Sequence, residues 1–286
     1  MREDGLSSEV IDRLIAERKN ENESAMINSK ITPIPMAVCS AMGFENGWGP
    51  WLTATGSHVY SGPVNFPSSL SAPSSPHFAI TTGPGIDPCT PGTAPGAPPL
   101  PVVCPFPGFG NSSFLMGEPG VNGAKAEKGE FQLTVSAQDT NFLYAYAIVL
   151  ENPLNNPHKN NSTTYAEIYI LDQNKNVVPC SYHRYTGDST AVNAVPPGFY
   201  AAACAGPAGN GNDVIYKPWA IDGINLAKYV GQTLTVVLIN VDCSKGGHFC
   251  HTYWDFQCSP ISGTATPFCA GQQSTLKHCR KFEKTR

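Results

Sequence analysis

The chain has 286 residues, with 18 Lys and Arg against 22 Asp and Glu, for a net charge of -4. Charged residues make up only 14%, against roughly 25% in an ordinary soluble domain, and no basic patch is interleaved with aromatics, which excludes a nucleic-acid surface. Twenty-seven glycines and 26 prolines favour turns and long loops over helices, and ten cysteines point to disulfides formed in an oxidising compartment.

In chain order, residues 7–20 predict a short amphipathic helix. Val10, Ile11, Leu14 and Ile15 fall on one face, and Ser7 or Ser8 can cap it. Residues 1–38 are read as a leader or linker. Met1–Asn28 is charged and has no apolar core, so it is not an export signal. An extracellular or cell-surface location is nevertheless expected from the cysteines. From Cys39 the texture changes to CSAMGFENGWGPW, with a turn at Asn46-Gly47 and two tryptophans that the turn-rich context is expected to leave partly exposed. Residues 56–120 are crowded with Ser, Pro and Gly, so few regular strands are expected there. Cys89 and Cys104 bracket the most proline-rich part, and a bridge between them would tie that loop down.

From residue 131 onward the strand signal is strong. FQLTVSA (131–137), FLYAYAIVLE (142–151), YAEIYILD (165–172), TLTVVLINVDC (233–243) and HTYWDFQC (251–258) are rich in β-branched and aromatic residues. Leu234, Val236 and Leu238 alternate with Thr235, Val237 and Ile239, a pattern expected of a strand covered on both faces. The whole predicts an all-β fold, an antiparallel jelly-roll-like β-sandwich over 39–258 with long Pro/Gly-rich loops and the short N-terminal helix. Residues 259–286 are too few for a core of their own and read as a linker and the truncated start of a further module.

Several segments together resemble one family. GFENGWGPW (43–51), LYAYAIVLENP (143–153), EIYILDQNKNVVPCSY (167–182), the stretch 216–258 and FCAGQQSTL (268–276) are similar to the large β-sandwich domain of adhesin-like cell-surface proteins of gliding bacteria. Such proteins are exported by the type IX route and carry Ig-like or PKD-like repeats, of which FCAGQQSTL looks like a start. The opening FENGWGPW and closing YWDFQC more distantly resemble the ends of MAM domains and jelly-roll carbohydrate-binding modules, where first and last strands lie side by side. The resemblance implies a non-catalytic adhesion or glycan-binding module whose partner is a surface glycan or another extracellular protein. A structural spacer for downstream repeats and an accessory domain of a secreted hydrolase are the alternatives. The family has a small residue where Cys250 stands, which implies an unusual bridge, for instance to Cys243; its sorting tail is absent here.

Three groups of residues could carry chemistry. Asp242, His248, His251 and Asp255 stand beside Cys243, Cys250 and Cys258, but HFCH lacks the glutamate of a metalloprotease helix, so the stretch reads as a disulfide-tied loop with surface histidines. Gly246-Gly247 reads as a tight turn within it. Glu45 and Asp255 would approach each other if the end strands are neighbours, and similarity to carbohydrate modules suggests a structural Ca²⁺ there. Trp48, Trp51, Trp219, Tyr253 and Trp254, with Tyr216, are the aromatic candidates for stacking on a sugar, although Trp219 reads better as packing. The disulfide candidates are Cys39, Cys89, Cys104, Cys180, Cys204, Cys243, Cys250, Cys258, Cys269 and Cys279. No nucleophile elbow and no phosphate loop is present.

Overall fold

A computed structural model describes residues 42–259 except 60–63, 93–95, 152–162, 187–194, 203 and 205–213, together with Ala16. The expected N-terminal helix, apart from Ala16, the rest of the leader before Met42 and the module start after Ser259 lie outside the described residues. So do Cys39, Cys269 and Cys279.

Among the described residues, twelve strands form two six-stranded antiparallel sheets. The first sheet contains β1 (Leu52–His58), β2 (Val64–Asn65), β5 (Lys125–Thr134), β7 (Tyr165–Leu171), β8 (His183–Thr186) and β11 (Thr233–Val241), in the order β2-β1-β5-β11-β7-β8. The second contains β3 (Phe78–Thr82), β4 (Ser112–Met116), β6 (Asn141–Glu151), β9 (Tyr200–Ala202), β10 (Val214–Asn225) and β12 (Cys250–Ser259), in the order β3-β4-β12-β6-β10-β9. All five strands expected from residue 131 onward are present, and β11 is buried on both faces as its two apolar sides require, with Leu234, Val236 and Leu238 in one cluster and Val237 and Ile239 in another. Between 56 and 120 only short strands form, because the prolines there withhold ladder donors.

Side-chain alternation builds the core. Leu234, Val236 and Leu238 of β11, Ile168 and Ile170 of β7, and Tyr144, Tyr146, Ile148 and Leu150 of β6 face inward, joined by Trp51, Phe114, Phe131, Trp254 and Phe256. On β6 the outward partners at the centre of the strand are Ala145, Ala147 and Val149, smaller than the aromatic and long aliphatic residues that face inward, with Leu143 nearer its start. Large residues inside and small ones outside leave a shallow apolar face on the second sheet. A single sheet face of this kind must be covered, and the long connection from β3 to β4, residues 83–111, covers it.

This strap supplies Cys89, Leu100, Cys104 and Phe109 to a second buried cluster with Ala145, Ala147, Val149, Tyr216, Trp219, Phe249 and Tyr253. It folds as a narrow hairpin, with Asp87 N–H donating to Leu100 O (2.8 Å) and Val102 N–H to Gly85 O (3.0 Å). Two attachments fix it to the sheet. Cys89 is bridged to Cys204, 115 residues away. Asp87, fully buried, accepts from Cys89 N–H (2.9 Å) and Thr90 Oγ1 (3.0 Å) of its own turn, and from His251 Nε2 (2.7 Å) and Tyr253 OH (2.8 Å) of β12.

The pairing expected between Cys89 and Cys104 is therefore corrected. Cys104 is a free thiol in the same cluster, and the bridge runs instead from the strap to the segment between β9 and β10. The Cys243–Cys250 bridge is corrected as well. Both are free and buried, and each thiol has its own partner. Cys250 Sγ donates to Asn240 Oδ1 (2.9 Å) on the inner side, while Gly247 N–H donates to Cys243 Sγ (3.4 Å) within the turn. Cys180 is disulfide-bonded.

A bridge closing a loop this long restricts the unfolded chain strongly. Cys89→Ala/Cys204→Ala should lose about 3–5 kcal/mol of unfolding free energy, read as a lower midpoint in guanidinium denaturation with the sheet signal in far-UV circular dichroism retained in buffer.

Candidate functional site

The strap leaves β3 and returns to β4 at one end of the sandwich, and its two ends enclose a groove of about 620 Å³ lined from 83–85 and 101–111. Pro84, Pro101, Pro105, Pro107 and the half-buried Phe106 give it apolar walls, and Gly83, Gly85, Gly108 and Gly110 bring backbone to its surface. None of the lining residues carries a charged side chain. Thr81 Oγ1 pins one wall by donating to Val102 O (2.7 Å), and Ser113 Oγ pins the other by accepting from Cys104 N–H (3.0 Å). Burial pushes the Cys104 thiol up to about 12, so it stays protonated and inert.

Two carboxylates stand at the edge of this groove. Residues Phe44–Asn46 form a 3-10 turn, which exposes Glu45 while Phe44 packs against Phe114 and Phe256. Glu45 Oε1 accepts from Asn111 N–H at 2.7 Å. Gly110, at φ 88°, adopts a backbone conformation that favours glycine, and a Cβ there would displace the Glu45 carboxylate. Asp255 is fully buried on β12. Its Oδ1 accepts from Phe256 N–H (2.8 Å), whereas Oδ2 has no hydrogen-bond partner. Burial pushes its carboxyl up to about 8; the Phe256 N–H opposes this and the Glu45 charge adds to it.

The opening segment rests against the end of β12, with a Cβ at Gly43 falling 3.6 Å from Asp255 Oδ1. The first strand itself, β1, pairs with β2 and β5 in the opposite sheet and not with β12. Both groups offer hard oxygen donors, and the orphaned Oδ2 is a fitting ligand for Ca²⁺ rather than Zn²⁺. Among the described residues no group of three His, Cys, Asp or Glu side chains converges on a metal position, so backbone oxygens and water would complete any such shell.

The aromatic expectation is corrected in most of its members. Trp51, Trp219, Tyr253 and Trp254 are buried, and a ring that stacks on a sugar needs an open face. Trp51 packs at 4.4 Å from Phe131, and Trp254 sits in the core with Nε1 donating to Thr252 Oγ1 (2.7 Å). Tyr216, Trp219 and Tyr253 are covered by the strap. Trp48 is half-buried, edge-on to Phe114 at 5.4 Å. His251 is likewise no surface histidine but a fully buried partner of Asp87. Gly246 does make the expected turn, at φ 74° with its N–H donating to Cys243 O (2.9 Å). Phe106 was missed, since Pro105-Phe106-Pro107 reads only as loop; a single aromatic framed by prolines was the available signal.

No family model matches the chain, and no curated relative matches it. Among solved structures, the chain is similar to a carbohydrate-binding module solved with beta-1,4-galactotriose, at 8% identity, covering 77% of this chain and 94% of that one, with a TM-score of 0.34. It is also similar to the enzymatically active domain of tailspike protein 4 of bacteriophage CBA120, at 11% identity and a TM-score of 0.33, covering 77% of this chain and spanning only 21% of that one. A cyclase from Fischerella sp. TAU matches at 11% identity and a TM-score of 0.28, covering 80% of this chain and 100% of that one. These likenesses are to β-sandwiches that are mainly carbohydrate-binding modules, with enzyme domains among them. At such TM-scores they assign neither ligand nor activity.

Because the folded value of Asp255 is raised from 3.8 to about 8, its neutral form favours the fold. Its contribution is fully present below the unfolded value and is lost as pH rises through the folded one. In metal-free buffer, Tm should fall as pH is raised from about 4 to about 8, and Asp255→Asn should flatten that slope. An unchanged slope in the variant would assign the pH dependence to another group.

Proposed function

We propose that the chain is a non-catalytic binding module of a larger cell-surface protein, and that the groove between the strap ends takes a neutral glycan. The observation that carries this reading is the composition of the groove. It joins an aromatic face at Phe106 and several proline rings to backbone brought to the surface by glycines, with no charged side chain in its lining. Sugars combine stacking on apolar faces with a few directed hydrogen bonds, and an uncharged lining favours neutral over sulfated or carboxylated saccharides. The buried disulfide is in keeping with extracellular use. Adhesion follows if the glycan belongs to another surface.

A structural Ca²⁺ held by Glu45 and Asp255 belongs to the same reading. The ion would neutralise a carboxylate buried without a second partner and fix the 3-10 turn and Asn111 against β12. It has no role in chemistry there. It would set the groove's edge.

Two measurements test these statements. On a glycan array the protein should retain neutral saccharides, and Phe106→Ala should weaken the best of them by about tenfold; absence of binding, or binding unaffected by Phe106→Ala, removes the groove as the site. In a thermal melt at neutral pH, Ca²⁺ should raise Tm relative to chelator, and Asp255→Asn should abolish the difference; equal melts for the native protein remove the ion.

A further inference from the structure

His77, Glu127 and Asp242 meet between the sheets at the end of β3 that lies away from the groove. Glu127 of β5 shares the inward face with Phe131 and Leu133, and Asn240 of β11 sits directly opposite it. Asp242 extends the inward row of β11 by one pair, since its N–H donates to Lys125 O at 2.9 Å. Glu127 and Asp242 are therefore diagonal neighbours on one face, a separation across which side chains of paired strands interact. Both are buried. His77 precedes β3 in the other sheet and is half-buried, with Nδ1 at 3.1 Å from Glu127 Oε1.

Few donors reach the two carboxyl groups. Asp242 Oδ1 accepts from Cys250 N–H (2.8 Å), while Glu127 Oε2 has no hydrogen-bond partner. Asn240 neighbours both but spends its amide elsewhere, with Nδ2 donating to Met116 O (3.1 Å) and Cys250 O (2.9 Å) and Oδ1 accepting from Cys250 Sγ (2.9 Å). Lys125 lies on the same face, yet its Nζ is held by Glu118 at 2.7 Å. His58 Nδ1 meets the Asp242 carbonyl at 2.8 Å. A carboxylate taken out of water with so little compensation is costly, and protonation relieves that cost. Burial pushes both carboxyls up; the Glu127 charge adds to the rise at Asp242, while the hydrogen bond from His77 opposes it at Glu127. That same hydrogen bond holds His77 above its ordinary value.

We infer that the Glu127–Asp242 pair retains a proton in the folded protein at neutral pH and that, with His77, it forms a pH-sensitive clamp between the sheets, closed at lower pH and loosened at higher pH. With one proton on the pair a single negative charge remains, and His77 meets it. Loss of that proton to solvent leaves two buried anions at diagonal positions, with Lys125 already engaged by Glu118. All three groups have folded values raised above their unfolded ones. Their stabilisation is therefore fully present below the unfolded values and is lost as pH rises through the folded ones. The contact released is His77–Glu127, which ties the residue before β3 to the opposite sheet. None of these residues lines the groove or belongs to the Glu45–Asp255 pair, so the clamp stands whether or not a glycan or Ca²⁺ binds.

Asp255→Asn supplies the background for the test, because it removes the other buried carboxyl with a raised value. In that full-length protein an infrared carbonyl band of a protonated carboxyl should be present at neutral pH, and Glu127→Gln/Asp242→Asn should remove it. The His77 ring, followed by NMR across pH, should titrate above the ordinary histidine range, and Glu127→Gln should lower its midpoint by about one pH unit. Asp242→Asn, which keeps the shape and cannot ionise, should flatten the fall of Tm that remains as pH is raised from neutrality. Absence of the band at neutral pH, or a His77 midpoint indifferent to Glu127→Gln, overturns the proposal. Should the added variants not fold, the band must still vanish from the folded Asp255→Asn protein as pH is raised, and its persistence overturns the proposal equally. A Ca²⁺-dependent rise of Tm that survives Asp255→Asn and is lost on adding Asp242→Asn would place a cation where the proton is inferred, and also overturns it.

Discussion

Asp87 is the joint on which the second sheet's outer face depends. A carboxylate fully removed from water is tolerated only when its lone pairs are satisfied, and here four donors converge on it, two from its own turn and two from β12. Burial alone would push this carboxyl up. The His251 charge and the hydrogen bonds from His251, Tyr253 and Thr90 outweigh it and hold Asp87 below its ordinary value. Its stabilising contribution is therefore present above the unfolded value and lost as pH falls through the folded one. Asp255, on the face of β12 that also carries His251 and Tyr253, works in the opposite sense because it lacks such donors. One buried carboxylate fastens the strap and the other waits for a partner, and the difference lies in the donors around each.

The strap also explains why the aromatic residues sit where they do. Small residues on the outer side of β6 create a shallow bed, and the strap fills it with Leu100, Cys89 and Phe109. Tyr216, Trp219 and Tyr253 then keep their polar atoms satisfied by strap carbonyls and by Asp87, as buried Tyr and Trp require. Without the strap these three rings would form an exposed apolar patch of the kind that marks interaction surfaces.

The sheets were legible because alternation is a local property. Leu234, Val236 and Leu238 against Val237 and Ile239 announce a strand buried on both sides, and β11 is that strand. The bridge was not legible. Cys89 meets Cys204 only because topology sets the strap across β6 and β10, and spacing along the chain carries no trace of it. Trp48 is partly exposed as expected, but exposure of Trp51 failed for a related reason. A turn-rich setting says that the backbone reverses near Trp51, but not that Phe114, Phe131 and Phe256 close over its ring. The pairing of Glu45 with Asp255 rests on resemblance, and the turn that carries Glu45 lies before the first strand.

What separates a strap from an ordinary long loop is that it satisfies groups the sheet cannot satisfy itself. Loops of this length without regular structure are uncommon in compact domains unless they bind or cover something. The described residues of 83–111 cover the second sheet, and the proposed reading gives their ends a binding role as well. Their middle covers the β6–β10–β12 face through proline carbonyls and the Asp87 joint, while their ends, freed of that duty, hold Phe106 and Asn111 in an open groove beside Glu45. The two attachments at Asp87 and Cys89 fall on the outgoing arm of the hairpin, and the proline segment on the returning arm is tied back to it through Asp87 N–H and Leu100 N–H. One strip of backbone thus serves as ligand to the covered face and, through Val102 O held by Thr81 Oγ1, as wall to the open groove.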